Sequence, residues 1–158
     1  MTSPEFDIDN APDTVIGGQA LDALEYFPDG MFQAIFISQF DFIATDLKEA
    51  RRLLHKTGTL YLQSGPQGWA EESFGPSLEA STQLGDWVLD CRAHHGGLGI
   101  AAYEMGRRFV LIEQDSESQK VIRSRLKDNK VFAVDYHTRL NRSRVRASTR
   151  PEPNAPQK

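Results

Sequence analysis

Residues 87–99 read WVLDCRAHHGGLG, and residues 107–113 read RRFVLIE. The two stretches have the pattern of a strand, a loop that contains glycine, a helix and a second strand that ends in an acidic residue. In such a βαβ unit the loop after the first strand faces a ligand, and the carboxylate that ends the second strand can accept hydrogen bonds from a ribose. The pattern therefore indicates a site of the nucleotide-cofactor type.

The rest of the chain alternates predicted strands and helices. Four further segments are expected to be strands, and they are residues 14–16, 32–37, 59–63 and 131–134. The stretches between them contain apolar residues at helical spacing. A helix from Thr45 should end at Gly58, Pro76 should break the next helical stretch, and Ser116 with Gln119 resembles a capping box for the last helix. The alternation predicts an α/β sandwich with a mostly parallel sheet.

Length and composition predict one compact domain. The chain has 158 residues, of which 39% are hydrophobic, enough for a substantial core. We expect a flexible N-terminus over residues 1–12, the domain over residues 13–136 and a tail over residues 137–158. The sequence contains neither an apolar run long enough to span a bilayer nor a secretory signal, and Cys91 is the single cysteine, so we expect a cytoplasmic protein.

Charge is distributed unevenly between the domain and the tail. Residues 137–158 carry a net charge of +5, and because the whole chain carries −4, residues 1–136 carry −9. An acidic domain repels nucleic acid, whereas a basic tail can attract its phosphates. We therefore expect at most weak, non-specific nucleic-acid binding through a tail that is disordered, or a tail that folds back on an acidic surface.

Several segments, taken together, resemble the S-adenosylmethionine-dependent DNA methyltransferases that modify the exocyclic amine of adenine or cytosine. The order is the permuted one, in which the catalytic motif precedes the cofactor motif. The likeness covers most of residues 14–127, and its segments are residues 16–30, 32–37, 49–60, 85–90 and 106–113. The resemblance implies a Rossmann-like methyltransferase fold, a three-layer sandwich with a mostly parallel sheet.

The family's catalytic tetrapeptide aligns with Ser38, Gln39, Phe40 and Asp41. In the family it is an Asp, Asn or Ser, two prolines and an aromatic residue. The first side chain and a carbonyl held by the prolines orient the target amine, and the ring stacks on the extruded base. Ser38 is an allowed residue, but both prolines and the fourth-position ring are absent. We expect these positions to be inactive. The alternatives are that Asp41 acts as a replacement base, or that Phe40 or Phe42 supplies a displaced ring.

The family's cofactor-binding positions fall on Gln19, Asp90, Arg92, His94, Gly96 and Glu113. The family loop is Asp-Pro-Phe-Ala-Gly-Ser-Gly, in which glycines permit close backbone approach. Here His94 adds bulk where the methionine moiety would lie, Arg92 replaces a ring, and Gln19 replaces an acid that would bind the adenine amine. The resemblance therefore implies no cofactor, or S-adenosylmethionine if the site still functions.

Cys91, His94 and His95 suggest a metal site or a thiol nucleophile, but neither is expected. Adjacent histidines point in different directions, and the sequence has no second ligand pair at zinc spacing. The sequence therefore predicts no metal.

Two functions of different classes follow. Active members of the family carry an insertion that reads the target sequence, and too few residues separate Asp41 from the next helix to hold one. The first hypothesis is a non-catalytic protein that acts by association, as a homodimer or as a heteromer with a methyltransferase-related protein. We expect its apolar contact surface around Phe40, Phe42, Trp69 and Phe74. The second is a small active methyltransferase with divergent motifs.

Overall fold

The structure, a computed structural model, describes residues 6–38, 44–63 and 68–137. Its strands and helices alternate along the chain. In order they are β1 (Asp13–Gly17), α1 (Ala20–Leu24), β2 (Phe32–Ser38), α2 (Ala44–Leu53), β3 (Leu54–Gln63), α3 (Glu71–Ser81), β4 (Trp87–Asp90), α4 (Gly97–Glu104), β5 (Arg108–Glu113), α5 (Ser116–Asp128) and β6 (Val134–His137). Most of the basic tail, from residue 138, lies outside the described residues.

The strands form one parallel sheet in the order β3-β2-β4-β5-β1-β6. This confirms the predicted α/β class with its parallel sheet. β2 and β4 are neighbours in the sheet, β3 lies on the outer side of β2, and β5 lies on the opposite side of β4. The strand order therefore reverses between β2 and β4, and open parallel sheets bind ligands in the crevice at such a point.

Helices cover both faces of the sheet, which gives the three layers that the family resemblance implies. On β2, Ile35 and Ile37 belong to a buried cluster that includes residues of α1 and α2. Ala34 and Phe36 point the other way, into a cluster that includes residues of α3, α4 and α5. The alternation follows from the two-residue period of a strand.

Several element boundaries differ from the sequence-based expectation, the first of them at α2 and β3. The helix from Thr45 does not run to Gly58, because α2 ends at Leu53 and β3 begins at the next residue. The ladder passes from Phe32 opposite Leu54 to Ala34 opposite Thr59, so β3 contains extra residues at a bulge.

The helix α3 continues through Pro76, which was expected to break it. Burial of Phe74 and Leu78 on either side of the proline holds the helix in place despite the lost backbone donor. The last helix is capped by Asp115, whose carboxylate accepts from the amide of Ser118 at 2.8 Å, and not by Ser116. The last strand lies at residues 134–137 rather than 131–134.

The segment expected to be a flexible N-terminus is described from Phe6 onward, and there it packs on the domain. Phe6 is buried and makes edge contacts with Phe27 and Trp87. The Trp87 indole donates to the carbonyl of Ile8 at 2.9 Å, and the Arg108 guanidinium lies over the Trp87 ring at 4.3 Å. These contacts cover the amino-terminal end of β4. None of the described helices α1 to α5 combines the length and the apolar composition that a bilayer span requires.

Candidate cofactor-binding site

The predicted site residues that the structure describes lie at the carboxyl edge of the sheet. Asp90 ends β4 beside Phe36 of β2, and Glu113 ends β5 beside Gly17 of β1. Partners in a parallel ladder share a face, so Asp90 lies on the same face as Phe36, the one covered by α3, α4 and α5. Gln39, Phe40 and Asp41, together with Phe42, lie outside the described residues.

The loop of residues 91–96 is tied to the strands on both sides of β4. The amide of Cys91 donates to the carbonyl of Phe36 at 3.1 Å, and the amide of Ala93 donates to the carbonyl of Ile112 at 2.9 Å. The loop then turns through two left-handed residues, His94 at φ 50° and Gly96 at φ 78°. Glycine adopts this conformation readily, whereas a histidine is strained in it.

Glu113 is the centre of a hydrogen-bond network that joins three segments. One carboxylate oxygen accepts from the amide of His94 at 3.0 Å, and the other accepts from the amide of Asp115 at 2.9 Å. The Glu113 carbonyl accepts from the amide of Gly18 at 3.0 Å and from the Gln119 side chain at 2.9 Å. The residue expected to hold a ribose therefore holds the loop of residues 91–96, the exit of β1 and the start of α5.

Asp90 is buried at the end of β4, and its carboxylate accepts from the amide of Arg92 at 3.0 Å. Burial raises the pKa of the Asp90 carboxyl well above its ordinary value, the Arg92 amide opposes this, and the nearby Glu113 carboxylate raises the pKa further. Asp90 thus fixes the start of the loop, and the Arg92 side chain is exposed.

The His94 ring lies at the point where the strand order reverses. A Cβ placed on Gly68 would lie 3.0 Å from the His94 ring and 3.9 Å from the Ser38 hydroxyl. His94 of the loop and Ser38 of β2 therefore approach the same small space beside Gly68. In the family pattern this part of the loop is glycine, serine and glycine.

An ion pair that the sequence did not indicate lies beside the loop of residues 91–96 and contacts it. The carboxylate of Glu71 on α3 and the guanidinium of Arg125 on α5 make paired contacts, one of them at 2.9 Å, and Arg125 also donates to the carbonyl of His95 at 2.7 Å. The Arg125 guanidinium holds the pKa of the Glu71 carboxyl below its ordinary value. The Glu71 side chain also lies against Gly97, the first residue of α4. The two residues are 54 positions apart, so only the folded chain reveals the pair.

Gln19 lies two residues after Gly17, the residue of β1 that is opposite Glu113. It precedes α1, and its side chain makes no capping hydrogen bond. It lines a cavity of about 990 Å³ between α1 and α5, together with Asp22, Lys120 and Arg123. The cavity therefore lies beside one end of the predicted site and away from Ser38 and His94.

Cys91, His94 and His95 do not assemble into a metal site. Among the residues that the structure describes, no three His, Cys, Asp or Glu side chains are grouped so as to hold a metal ion. Cys91 is buried at the start of the loop, whereas both histidines are exposed.

The fold is similar to those of solved DNA modification methylases. The structure is similar to a putative DNA modification methylase from Thermus thermophilus, with a TM-score of 0.65 and 13% identity over 79% of this chain and 99% of that chain. The same methylase complexed with S-adenosyl-L-methionine has a TM-score of 0.64 at 14% identity, over 78% of this chain and 99% of that one. The complex of M1.HpyAVI with SAM gives a TM-score of 0.60 at 12% identity, over 72% of this chain and all of that chain.

The sequence itself is similar to a curated methyltransferase over a short segment. It is 43% identical over 47 residues to the type II methyltransferase M2.DpnII of Streptococcus pneumoniae. The match covers 30% of this chain and only 18% of that relative. No family model matches the chain.

The role of Glu113 gives a stability prediction. Glu113→Ala leaves the amides of His94 and Asp115 without their acceptor, so we expect the free energy of unfolding to fall by about 3 kcal/mol. Glu117→Ala is the control, because Glu117 pairs with Lys120 on an exposed surface and such pairs contribute about 0.5 kcal/mol or less. Urea denaturation of both variants measures the difference. Equal, small losses would contradict the structural role of Glu113.

Proposed function

The chain has the fold of the DNA methyltransferases and shares sequence with one of them, and we propose that it is a non-catalytic DNA-methyltransferase-like protein. It acts by association, either as a homodimer or as the partner or regulator of an active methyltransferase or DNA-modification system. The proposal rests on where the chain departs from the family pattern. The sheet and helices are retained, whereas the departures fall on the positions of the chemistry.

The observation that carries the proposal is the conformation of His94. A left-handed backbone at φ 50° is what a glycine in this loop would supply at no steric cost. Histidine at the same position adds a ring, and that ring lies against Gly68 beside the Ser38 hydroxyl. The side chain thus fills space between the cofactor loop and the strand that carries the catalytic motif.

The remaining positions also fit S-adenosylmethionine poorly. Both carboxylate oxygens of Glu113 already accept backbone hydrogen bonds, which reduces their capacity to bind ribose hydroxyls. Gln19 has no carboxylate to accept a bond from an adenine amine, and the exposed Arg92 offers no ring to pack beside the cofactor. These positions therefore do not supply the contacts that a methyl transfer from this cofactor requires.

The second candidate is an active S-adenosylmethionine-dependent DNA amino-methyltransferase. It is favoured by the similarity to two proteins whose structures are complexes with S-adenosylmethionine. It is also favoured by Ser38, whose hydroxyl ends β2 without a hydrogen-bond partner and could accept a bond from an amine.

Association is supported by one of the two edges of the sheet, that of β3. Of the surface expected around Phe40, Phe42, Trp69 and Phe74, the first two residues lie outside the described residues. Phe74 is only 4% exposed and packs against Phe36, so it cannot form that surface, and Trp69 is half-buried. β3 pairs with β2 on one side, and the described residues place no strand on its other side. It carries Leu62 at 45% exposure, and an unpaired strand edge with apolar side chains can bind another chain.

We predict that the wild-type protein gives no measurable heat when titrated with S-adenosylmethionine at micromolar concentrations. His94→Gly removes the ring, and glycine adopts the left-handed backbone at this position readily. We therefore expect it to strengthen S-adenosylmethionine binding by about tenfold or more, because relief of one clash or one strained residue contributes about that much. His95→Gly is the matched control and should bind no better than wild type. Micromolar affinity in the wild type, with methyl transfer to DNA, would support the second candidate instead.

Association should depend on the edge of β3. Sedimentation velocity should show a dimer of the protein alone, or a complex with an active methyltransferase from the same organism. Leu62→Lys places a charge in that contact and should weaken it by about tenfold or more, whereas Leu84→Lys, at an even more exposed leucine before β4, should not. A strict monomer at high concentration that binds no methyltransferase would overturn the association proposal.

A further inference from the structure

The cavity of about 990 Å³ lies at the carboxyl edge of the sheet, where β1 ends. One of its walls is α1, which contributes Asp22 and Glu25, and the other is α5, which contributes Lys120 and Arg123. All four of these residues are exposed, so the cavity is open to solvent. Its volume is at the upper end of the range for ligand pockets, which makes it large enough for several residues of a peptide.

The last described residues of the chain form part of the same cavity. β6 runs parallel to β1, and His137 lies opposite Ile16 in the ladder. His137 is buried, and both it and Tyr136 line the cavity. The basic tail therefore starts from the cavity wall. An extended chain covers about 3.3 Å per residue, so residues 138–146 can reach about 30 Å, which is enough to cross the cavity.

The two walls differ in the charge that they offer to this segment. On α5 both cations already have partners, because Lys120 pairs with a glutamate of its own helix at 3.0 Å and the Arg123 guanidinium lies 4.1 Å from the centre of the Tyr136 ring. On α1 the Asp22 carboxylate makes no ion pair with any described residue. Glu25 lies one helical turn further along and adds a second negative charge. The α1 wall therefore attracts cations.

The composition of the tail suits this wall and the floor beside it. Residues 138–146 read TRLNRSRVR, with four arginines and no acidic residue. Leu140 and Val145 are the apolar residues among them. Ile16 and Ala23, which line the cavity, give it an apolar floor. A segment of alternating arginines and apolar residues is thus complementary to a cavity with an acidic wall and an apolar floor.

We propose that residues 138–146 occupy the cavity between α1 and α5. Their arginine side chains pair with Asp22 and Glu25, and an apolar side chain lies on the floor. The segment is tethered at His137, so its effective concentration at the cavity is on the order of millimolar and a few weak contacts suffice to hold it. The proposal goes beyond the proposed function, because it requires neither the loss of methyl transfer nor association with another protein.

Cleavage of the native, full-length chain by trypsin measures how often the segment leaves the cavity. Trypsin cleaves after arginine, and cleavage of a segment that opens and closes rapidly follows the population of the open form. Mass spectrometry gives the rate at each arginine separately. Arg142 lies within the proposed segment, whereas Arg150 lies beyond it and serves as the internal reference.

Asp22→Asn removes the negative charge from the wall with little change of shape. Cleavage after Arg142 should become about fivefold faster, the effect of one ion pair, and cleavage after Arg150 should not change. Asp128→Asn is the matched control, because it changes the net charge equally at an exposed aspartate that ends α5, away from the cavity. The control should be cleaved like the wild type.

A second measurement does not depend on a change in the domain. In two-dimensional NMR spectra of the full-length chain, the amide signals of Gly18 and Ala23 should move when Arg139→Gln and Arg142→Gln are combined. Arg150→Gln should leave both signals in place. Raising the salt concentration to about 0.5 M should move the wild-type signals in the same direction, because salt screens exposed ion pairs.

Faster cleavage in Asp22→Asn but not in Asp128→Asn, together with the movement of the two amide signals, supports the tail in the cavity. Cleavage after Arg142 that Asp22→Asn does not accelerate would place the tail elsewhere. Equal acceleration in both variants would indicate a general attraction to the acidic domain. Either of these results, or amide signals that do not respond to the arginine substitutions, would overturn the proposal.

Discussion

The carboxyl edge of the sheet depends on the hydrogen bonds that Glu113 accepts. Its two carboxylate oxygens hold the amides of His94 and Asp115, and its own carbonyl holds Gly18 and Gln119. One residue therefore positions the loop of residues 91–96, the end of β1 and the first turn of α5. A carboxylate at the position expected to receive a ribose acts as a structural acceptor, and its hydrogen bonds fix the conformation of the loop.

Much of the fold could be predicted because local pattern and tertiary packing agree. Near-continuous apolar strands such as Phe32–Ser38 have to be buried on both faces, and together with the alternation of strands and helices this predicts a parallel sheet covered by helices. The errors fall where tertiary contacts override local preference. Pro76 stays within α3 because Phe74 and Leu78 are buried beside it, and β3 begins at Leu54 because a bulge absorbs the residues before Thr59.

The position of the site in the sheet could be predicted from the sequence, but only some of the contacts between its side chains could. Motif order placed Asp90, His94 and Glu113 at one edge of the sheet, because the carboxyl ends of parallel strands meet there. Glu71 and Arg125 are distant in sequence and carry no motif, so their pairing across the loop was not foreseeable.

We propose that this chain keeps a methyltransferase-like fold without the methyl-transfer chemistry. Transfer of a tritiated methyl group from S-adenosylmethionine to mixed-sequence DNA tests it most directly, with an active methyltransferase as the positive control. We expect no incorporation above that of the enzyme-free reaction, for the wild type and for Ser38→Ala alike. Incorporation by the wild type that Ser38→Ala abolishes would contradict it, because the Ser38 hydroxyl would then be acting on a substrate amine.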